Sequence, residues 1–264
     1  TGRDGRSIRA FIEANFLEDA IDAYYEVKTR GNYGMHQRSL LTLAVVRQHA
    51  DNRRYLADVV DKPDGAMFLG LRHALYSLIW RDGQPYEVGD YNFTWVQNIT
   101  SVTGLLDKLG YDVRREPRLK RLLDAPLDAI IAGNFTPAIG DSQTVYGSAV
   151  GKDAGLYQQA WRTFGDPRYA RFLAGFGATG AGSFQSFASL LHPPVPTPSD
   201  APAPGWLLEP QPSRLISGFG LSLMNNPADT TGFSLYHGFH VSHFHCDRLH
   251  FDIFAHGQAM MPDL

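Results

Sequence analysis

The hydrophobic periodicity of the chain changes once along its length, and this change limits the folds that the chain can adopt. Between residues 6 and 191 apolar residues recur at spacings of three and four, as Ile8, Phe11 and Ile12 show. This is the pattern of amphipathic helices. From residue 215 onward, β-branched and aromatic residues alternate with polar ones, a pattern typical of half-buried strands. The sequence therefore predicts a helical region followed by an antiparallel sheet.

Glycine and proline residues divide the first region into six to eight predicted helices. They interrupt the apolar pattern at Pro63-Asp64-Gly65, at Gly110 and at several other places, and such residues separate helices. The predicted helices cover residues 8–27, 40–46, 67–80, 93–109, 119–131, 157–162 and 168–176. Helices joined in this way suggest an all-helical array with its ligand site at one set of loop ends.

A proline-rich segment separates the two regions. Residues 192–212 contain 8 of the 16 prolines, and proline disfavours the interiors of both helices and sheets. We therefore predict a helical domain at 1–191, a linker at 192–213 and a sheet domain at 214–264. Its predicted strands, 215–223, 231–240 and 243–255, are too few to close a sandwich. The sheet domain is thus expected to be truncated or completed elsewhere.

Composition excludes several classes of protein. A chain that is 44% hydrophobic and 19% charged is not a disordered polymer, and it has no apolar run long enough to span a membrane. A net charge of −3 argues against a general nucleic-acid binder. The single cysteine, Cys246, excludes an intramolecular disulfide framework and a cysteine-rich zinc module.

Histidines concentrate in one segment of the predicted sheet. Five of the ten lie within residues 236–251. On a strand alternate residues share a face, so His243, His245 and Asp247 are expected to project the same way. Imidazoles at this spacing suit zinc, and Asp263 could add an oxygen ligand. The alternative is a polar strand face with hydrogen-bonded histidines.

The same segment resembles the heparinase II/III family of polysaccharide lyases, which includes oligoalginate lyases. Residues 243–251 (HFHCDRLHF), Ala255-His256-Gly257 and Met261-Pro262-Asp263 match the family's H-x-H-x-D-x-L-x-F strand, glycine turn and later aspartate. The resemblance covers essentially the whole chain. It implies an α+β multidomain fold, an incomplete (α/α) toroid followed by a β-sandwich that normally continues far beyond residue 264.

The resemblance also implies roles for three residues of this segment. His243 is placed in the catalytic position, while His245 and Asp263 are placed at a structural metal that is often zinc. The third metal ligand would come from beyond residue 264. No organic cofactor is implied.

A second block, residues 82–91 (DGQPYEVGDY), resembles the family's DG…E…Y turn. The final tyrosine of that turn is the catalytic acid/base, which places this role on Tyr91 and puts Glu87 among the residues expected to bind substrate. The block precedes a helix predicted to begin near Phe93, so Tyr91 could face a cleft at a loop end.

A third block, residues 30–38 (RGNYGMHQR), resembles the family's Asn/His loop and lies 55 positions before Tyr91. In many relatives the two residues are adjacent, whereas here Asn32 lies four residues before His36. Either or both could neutralise a substrate carboxylate, and Arg38 is expected to bind substrate. The alternative is a helix cap at Asn32 and a surface histidine.

A weaker match, residues 140–147 (GDSQTVYG), resembles the family's GD loop, which lines the cleft. It adds Asp141 and Tyr146 to the residues expected to bind substrate. A plain turn is the alternative.

The resemblance implies β-elimination at a uronic acid residue. A hydrogen-bond donor stabilises the charge that develops on the substrate carboxylate; Tyr91 protonates the leaving oxygen, and the base is His243 or Tyr91 itself. The alternatives are a toroid-fold glycoside hydrolase using Glu87, Asp90 or Asp141, and a non-catalytic protein that binds anionic glycans. The expected partner is an anionic polysaccharide or oligosaccharide, with a homodimer possible and no nucleic acid or membrane. The expected location is periplasmic or secreted.

Overall fold

A computed structural model of the chain describes residues 4–47, 49–141, 154–177, 195–199, 201, 207–209, 211–228, 231–239, 242–243, 245 and 248–261. Within these residues, nine α-helices precede five β-strands, which confirms the predicted order of helices and sheet. The helices are α1 (Gly5–Ile12), α2 (Glu18–Tyr25), α3 (Met35–Arg47), α4 (Asn52–Asp61), α5 (Leu71–Ser77), α6 (Gly89–Lys108), α7 (Pro117–Asp128), α8 (Ala154–Phe164) and α9 (Pro167–Gly175). The strands are β1 (Arg214–Ile216), β2 (Leu221–Asn226), β3 (Thr231–Tyr236), β4 (Phe251–Ala255) and β5 (Gln258–Ala259).

Local chemistry sets several of the helix ends. Asp4 caps α1 by accepting a hydrogen bond from the Ser7 backbone N–H at 2.7 Å. Asp166 caps α9 in the same way through Arg168, since a carboxylate at this position satisfies a free helical N–H. Both α7 and α9 begin with proline, which has no N–H to lose in the first turn. None of the described helices is long and apolar enough to cross a membrane.

The helix bounds depart from the prediction at several places, of which three matter most here. Helix α4 was not predicted, although it buries Tyr55, Val59 and Val60. Helix α5 ends at Ser77 rather than at residue 80. Helix α6 begins at Gly89, so Tyr91 lies in the first turn of the helix and not in the loop before it.

The five strands form one antiparallel sheet in the order β1-β2-β3-β4-β5. The predicted strand at 215–223 is divided into β1 and β2 by a turn that contains Gly220 at φ +82°. The other two predicted strands are too long, because β3 ends at Tyr236 and β4 begins only at Phe251. The prediction that His243 and His245 lie on a strand is therefore wrong.

The two faces of this sheet differ in burial. One face contributes to a core that also contains Val88 and residues from 131 to 139; its members from the sheet region are Ile216, Phe219, Leu221, Leu223, Tyr236 and Phe254. On the opposite face Leu215, Met224 and Phe251 are 60%, 48% and 40% exposed. There the Phe233 and Phe251 rings stack with their centroids 5.6 Å apart. This face of the sheet is apolar and uncovered by the described residues.

The chain forms two compact units, one from Thr1–Ser77 with Gln97–Val113 and the other from Leu78–Val96 with Arg114–Leu264. This division differs from the predicted domain boundaries because α7, α8 and α9 belong to the same unit as the sheet. The buried face of the sheet packs against Val88 and apolar residues from 131 to 139. This packing explains why the segments after α6 group with the sheet. Of the predicted linker, 192–213, the structure describes residues 195–199, 201, 207–209 and 211–213, and none of these lies in a helix or strand.

Candidate active site

A short hairpin at residues 78–86 precedes the helix that carries Tyr91. Backbone hydrogen bonds of 2.8 and 3.1 Å close it. At its turn Gly83 has φ +95°, and a Cβ atom there would collide with the Arg121 carbonyl. The Asp82 carboxylate accepts a hydrogen bond of 2.9 Å from the Phe219 N–H. The Asp-Gly pair of the sequence motif thus anchors this turn to the segment between β1 and β2.

Glu87 and Tyr91 follow the hairpin and lie on either side of the start of α6. Between them Val88 is fully buried, and Gly89 adopts φ +54° where the chain enters the helix. Glu87 is only 3% exposed, whereas Tyr91 is half-buried. Solvent can therefore reach the Tyr91 ring, whereas the Glu87 carboxylate is shielded from it.

His243 lies in the turn between β3 and β4 and contacts both residues. Its imidazole stacks on the Tyr91 ring with centroids 3.7 Å apart and planes 4° apart. Its Nδ1 lies 2.8 Å from Glu87 Oε2 and 3.1 Å from Ser242 Oγ. Its backbone has φ +56°, in the left-handed region. The structure thus brings together Tyr91, Glu87 and His243 from segments about 150 residues apart.

The Gly140-Asp141 loop holds this turn in place. The Asp141 N–H donates to the His243 carbonyl at 2.9 Å, and Asp141 Oδ1 lies 2.9 Å from His245 Nε2. Gly140 has φ +61°, and a Cβ atom there would overlap Val88 and the His243 carbonyl oxygen. Two hydrogen bonds and one close backbone approach therefore fix the turn.

Burial controls the electrostatics of Glu87. Its removal from water raises the pKa of the carboxyl, while hydrogen bonds from His243 and Ser242 act in the opposite direction. Trp95 also donates a hydrogen bond to this carboxylate. His243 contributes both a hydrogen bond and a charge interaction, so it is the largest of the stabilising partners. At 3% exposure the Glu87 side chain offers little surface to a ligand, and its predicted contact with substrate stays a prediction.

The block at residues 30–38 lies in the other unit and is organised around buried side chains. Gln37 donates to the Met67 and Leu69 carbonyls. His36 is 6% exposed and stacks on Phe68 at 4.4 Å, so the alternative of a surface histidine is wrong. Burial lowers the pKa of His36.

The remaining candidates in that block are more accessible. Asn32 is half-buried and Arg38 is exposed. Of the two residues predicted to neutralise a substrate carboxylate, Asn32 has the more accessible side chain. The roles of Asn32, His36 and Arg38 toward substrate stay predictions. Tyr146, Asp247 and Asp263 lie outside the described residues.

The described residues do not assemble a zinc site by themselves. Among them, no group of three His, Cys, Asp or Glu side chains is placed to hold a metal ion. Of the two predicted ligands only His245 is described, and its Nε2 lies 2.9 Å from Asp141. The zinc site at His245 and Asp263 stays a prediction.

Sequence reasoning missed two contributors to the site. Ser242 contacts His243, and Gly140 permits the close approach of the 140–141 loop. The glycine of the Gly-Asp pair was the available signal for the second, since conformations with positive φ favour glycine. Nothing in the sequence distinguished Ser242 from other serines.

Comparisons with known proteins show the fold. No family model matches the sequence, and no curated protein matches it. Two solved structures of heparinase III, one of them with methylated lysines, are similar with TM-scores of 0.64 and 0.63 at 14% and 11% sequence identity. Each similarity covers 95% of this chain but only 35% and 34% of the solved chain. The protein therefore has a heparinase III-like fold, and it spans about a third of the length of those structures.

Proposed function

We propose that the protein is a polysaccharide lyase that cleaves a uronic-acid-containing polysaccharide or oligosaccharide by β-elimination. The observation that carries this proposal is the stacking of the Tyr91 and His243 rings, whose centroids lie 3.7 Å apart. It occurs in a chain that is similar in fold to heparinase III. Two side chains that can transfer protons meet at one half-exposed place, as this reaction requires.

The elimination divides into proton removal and departure of the leaving group. A base takes the proton from C5 of the uronate, the electron pair forms the C4–C5 double bond, and the C4–O bond breaks. In this proposal Tyr91 protonates the departing oxygen, and His243 or Tyr91 is the base, according to which face of the sugar carries the C5 proton. A positioned acid or base of this kind contributes roughly 10²–10⁴-fold.

The placement of Glu87 weakens the hydrolase alternative, which is left with Asp90 and Asp141 as its carboxyl groups. Hydrolysis requires two carboxyl groups that flank the glycosidic bond. The Glu87 side chain is 5% exposed and faces His243, so it is not available to a sugar. A protein that only binds glycans would have no need for the buried carboxylate behind the stacked rings.

Further parts of the proposal follow from the sequence motifs. We propose that the helices form part of an incomplete (α/α) toroid and that the sheet is part of a β-sandwich, as the motif resemblance implies. A polymeric anionic substrate is the reason to expect a periplasmic or secreted protein.

The test is to incubate the protein with a panel of uronate polymers and to measure two products. An increase in the ultraviolet absorbance of the unsaturated uronate supports the lyase. New reducing ends without this absorbance would support a hydrolase, and binding without either product would support a glycan-binding protein. Both of these outcomes contradict the proposal.

A further inference from the structure

Glu87 lies directly behind His243 and is almost completely buried. Its side chain is 5% exposed, compared with 33% for His243. The Oε2–Nδ1 distance of 2.8 Å is that of a charge-assisted hydrogen bond. Ser242 adds a hydrogen bond to the same carboxylate. The carboxylate is thus directed at one nitrogen of the imidazole and away from solvent.

This contact determines which imidazole nitrogen carries the proton. An ionised carboxylate can only accept hydrogen bonds, so Nδ1 must be the donor. Neutral His243 then has its lone pair on Nε2, the nitrogen that does not contact Glu87. The tautomer follows from the chemistry of the two partners.

We propose that Glu87 is a positioning residue that fixes the Nδ1–H tautomer and the ring orientation of His243 against Tyr91. The proposal rests on the proposed lyase function for its effect on turnover. Glu87 acts through His243 and does not touch the substrate.

A purely structural role explains the position of Glu87 less well. Removal of a carboxylate from water is costly, and replacement of a whole buried ion pair by apolar residues of similar volume often gives equal or better stability. The raised pKa of Glu87 shows that burial is not fully compensated here. A charged group at this position is therefore better explained by what it does to His243.

The matched control is Asp252, a second buried carboxylate in contact with a histidine. It is 1% exposed and lies 3.2 Å from His250 Nε2, in β4 rather than at the stacked rings. Asp252→Asn removes a comparable buried charge, but it should leave His243 unchanged.

The experiment combines nitrogen NMR of the His243 ring with steady-state kinetics on Glu87→Gln, Glu87→Asp and Asp252→Asn. In the wild type and in Asp252→Asn we expect the Nδ1–H signature. In Glu87→Gln the neutral amide oxygen accepts a weaker hydrogen bond from Nδ1–H, and its NH₂ group can instead donate to Nδ1, so the Nδ1–H tautomer should lose population and the signature should change. The kcat should fall by at least about 10²-fold, since a carboxylate that fixes a histidine tautomer can contribute about 10⁴-fold. The KM should stay within about twofold.

Glu87→Asp retains the charge and should recover part of both the signature and kcat. An unchanged His243 signature in folded Glu87→Gln would overturn the proposal, and so would a changed signature with wild-type kcat. Absence of lyase activity in the wild type would instead contradict the proposed function, because the NMR signature is measured without substrate. The two failures are therefore distinguishable.

Discussion

At the residue scale, the site depends on what each polar side chain faces. The Tyr91 ring is half-exposed, the His243 ring covers one of its faces, and the Glu87 carboxylate is withdrawn behind His243. Accessibility thus increases from the carboxylate to the tyrosine. The groups proposed to move protons are the ones that a substrate can reach.

Tyr91→Phe should reduce kcat by roughly 10²–10⁴-fold, because it removes the hydroxyl of the proposed acid and keeps the ring that stacks on His243. The thermal midpoint should change little. Tyr86→Phe is the control, since the Tyr86 ring packs edge-on against Trp80 outside the stacked pair. More than a tenth of the wild-type rate in Tyr91→Phe would remove the role assigned to its hydroxyl.

The raised pKa of Glu87 predicts the pH dependence of stability. The folded protein binds this proton more tightly than the unfolded chain, so the free energy of unfolding should decrease as pH rises from about 4.3 through the raised value. Glu87→Gln lacks this titration. Its thermal midpoint relative to the wild type should therefore increase over the same pH interval, and a difference that is constant or decreases with pH would contradict the burial effect.

At the element scale, the turn that carries His243 is held by the loop at residues 140–141. Gly140→Ala should displace the turn, because the added Cβ would overlap Val88 and the His243 carbonyl. We expect kcat to fall by about tenfold or more, since small misplacements of catalytic groups are costly.

Gly257→Ala is the control for this prediction. Gly257 also has a positive φ, +72°, but has no atom within 4 Å of an added Cβ. It therefore separates backbone strain from collision. Equal losses of activity in the two variants would show that the contact with His243 is not responsible.

The helices could be predicted because their buried positions repeat within a few residues. Leu119, Leu122 and Leu123 of α7 are an example. Helix α4 was missed because charged residues surround its three buried positions, and the local apolar signal was weak. Helix ends were less predictable, since they depend on caps and on contacts with distant segments.

The site was predictable in its residues but not in its geometry. Tyr91 and His243 were identified from motifs, and the structure places their rings in contact. The alternating positions of His243 and His245 led to the prediction of a strand. The segment is instead a turn, because Asp141, about 100 residues earlier, hydrogen-bonds to the His243 carbonyl and to the His245 ring. The partnership of Glu87 and His243 is likewise a product of tertiary structure.

At the scale of the whole molecule, the sheet has one face in the core and one apolar face that the described residues leave open. Leu215 and Met224 contribute to the open face. Contiguous apolar patches of this kind bind hydrophobic dyes and promote association. Changing both residues to threonine should reduce dye fluorescence and self-association in sedimentation measurements.

Val45→Thr/Val46→Thr on α3 is the matched control, because these side chains are similarly exposed, at 45% and 56%. It should have the smaller effect, since the two valines are not part of the sheet face. Equal effects of the two double variants would show that exposure alone, and not the continuous face, determines association.

The left-handed backbone of His243, at φ +56°, places backbone stability and side-chain contacts in conflict at one position. The left-handed conformation costs a residue with a side chain roughly 1–2 kcal/mol of stability, because its Cβ approaches the backbone, and it costs glycine much less. The free energy of unfolding of His243→Gly should therefore exceed that of His243→Ala by about 1 kcal/mol. Chemical denaturation of the two variants measures this difference. Glycine would relieve the backbone strain but would leave the buried Glu87 carboxylate without its imidazole partner, so the backbone conformation and the side-chain contacts favour different residues at this position.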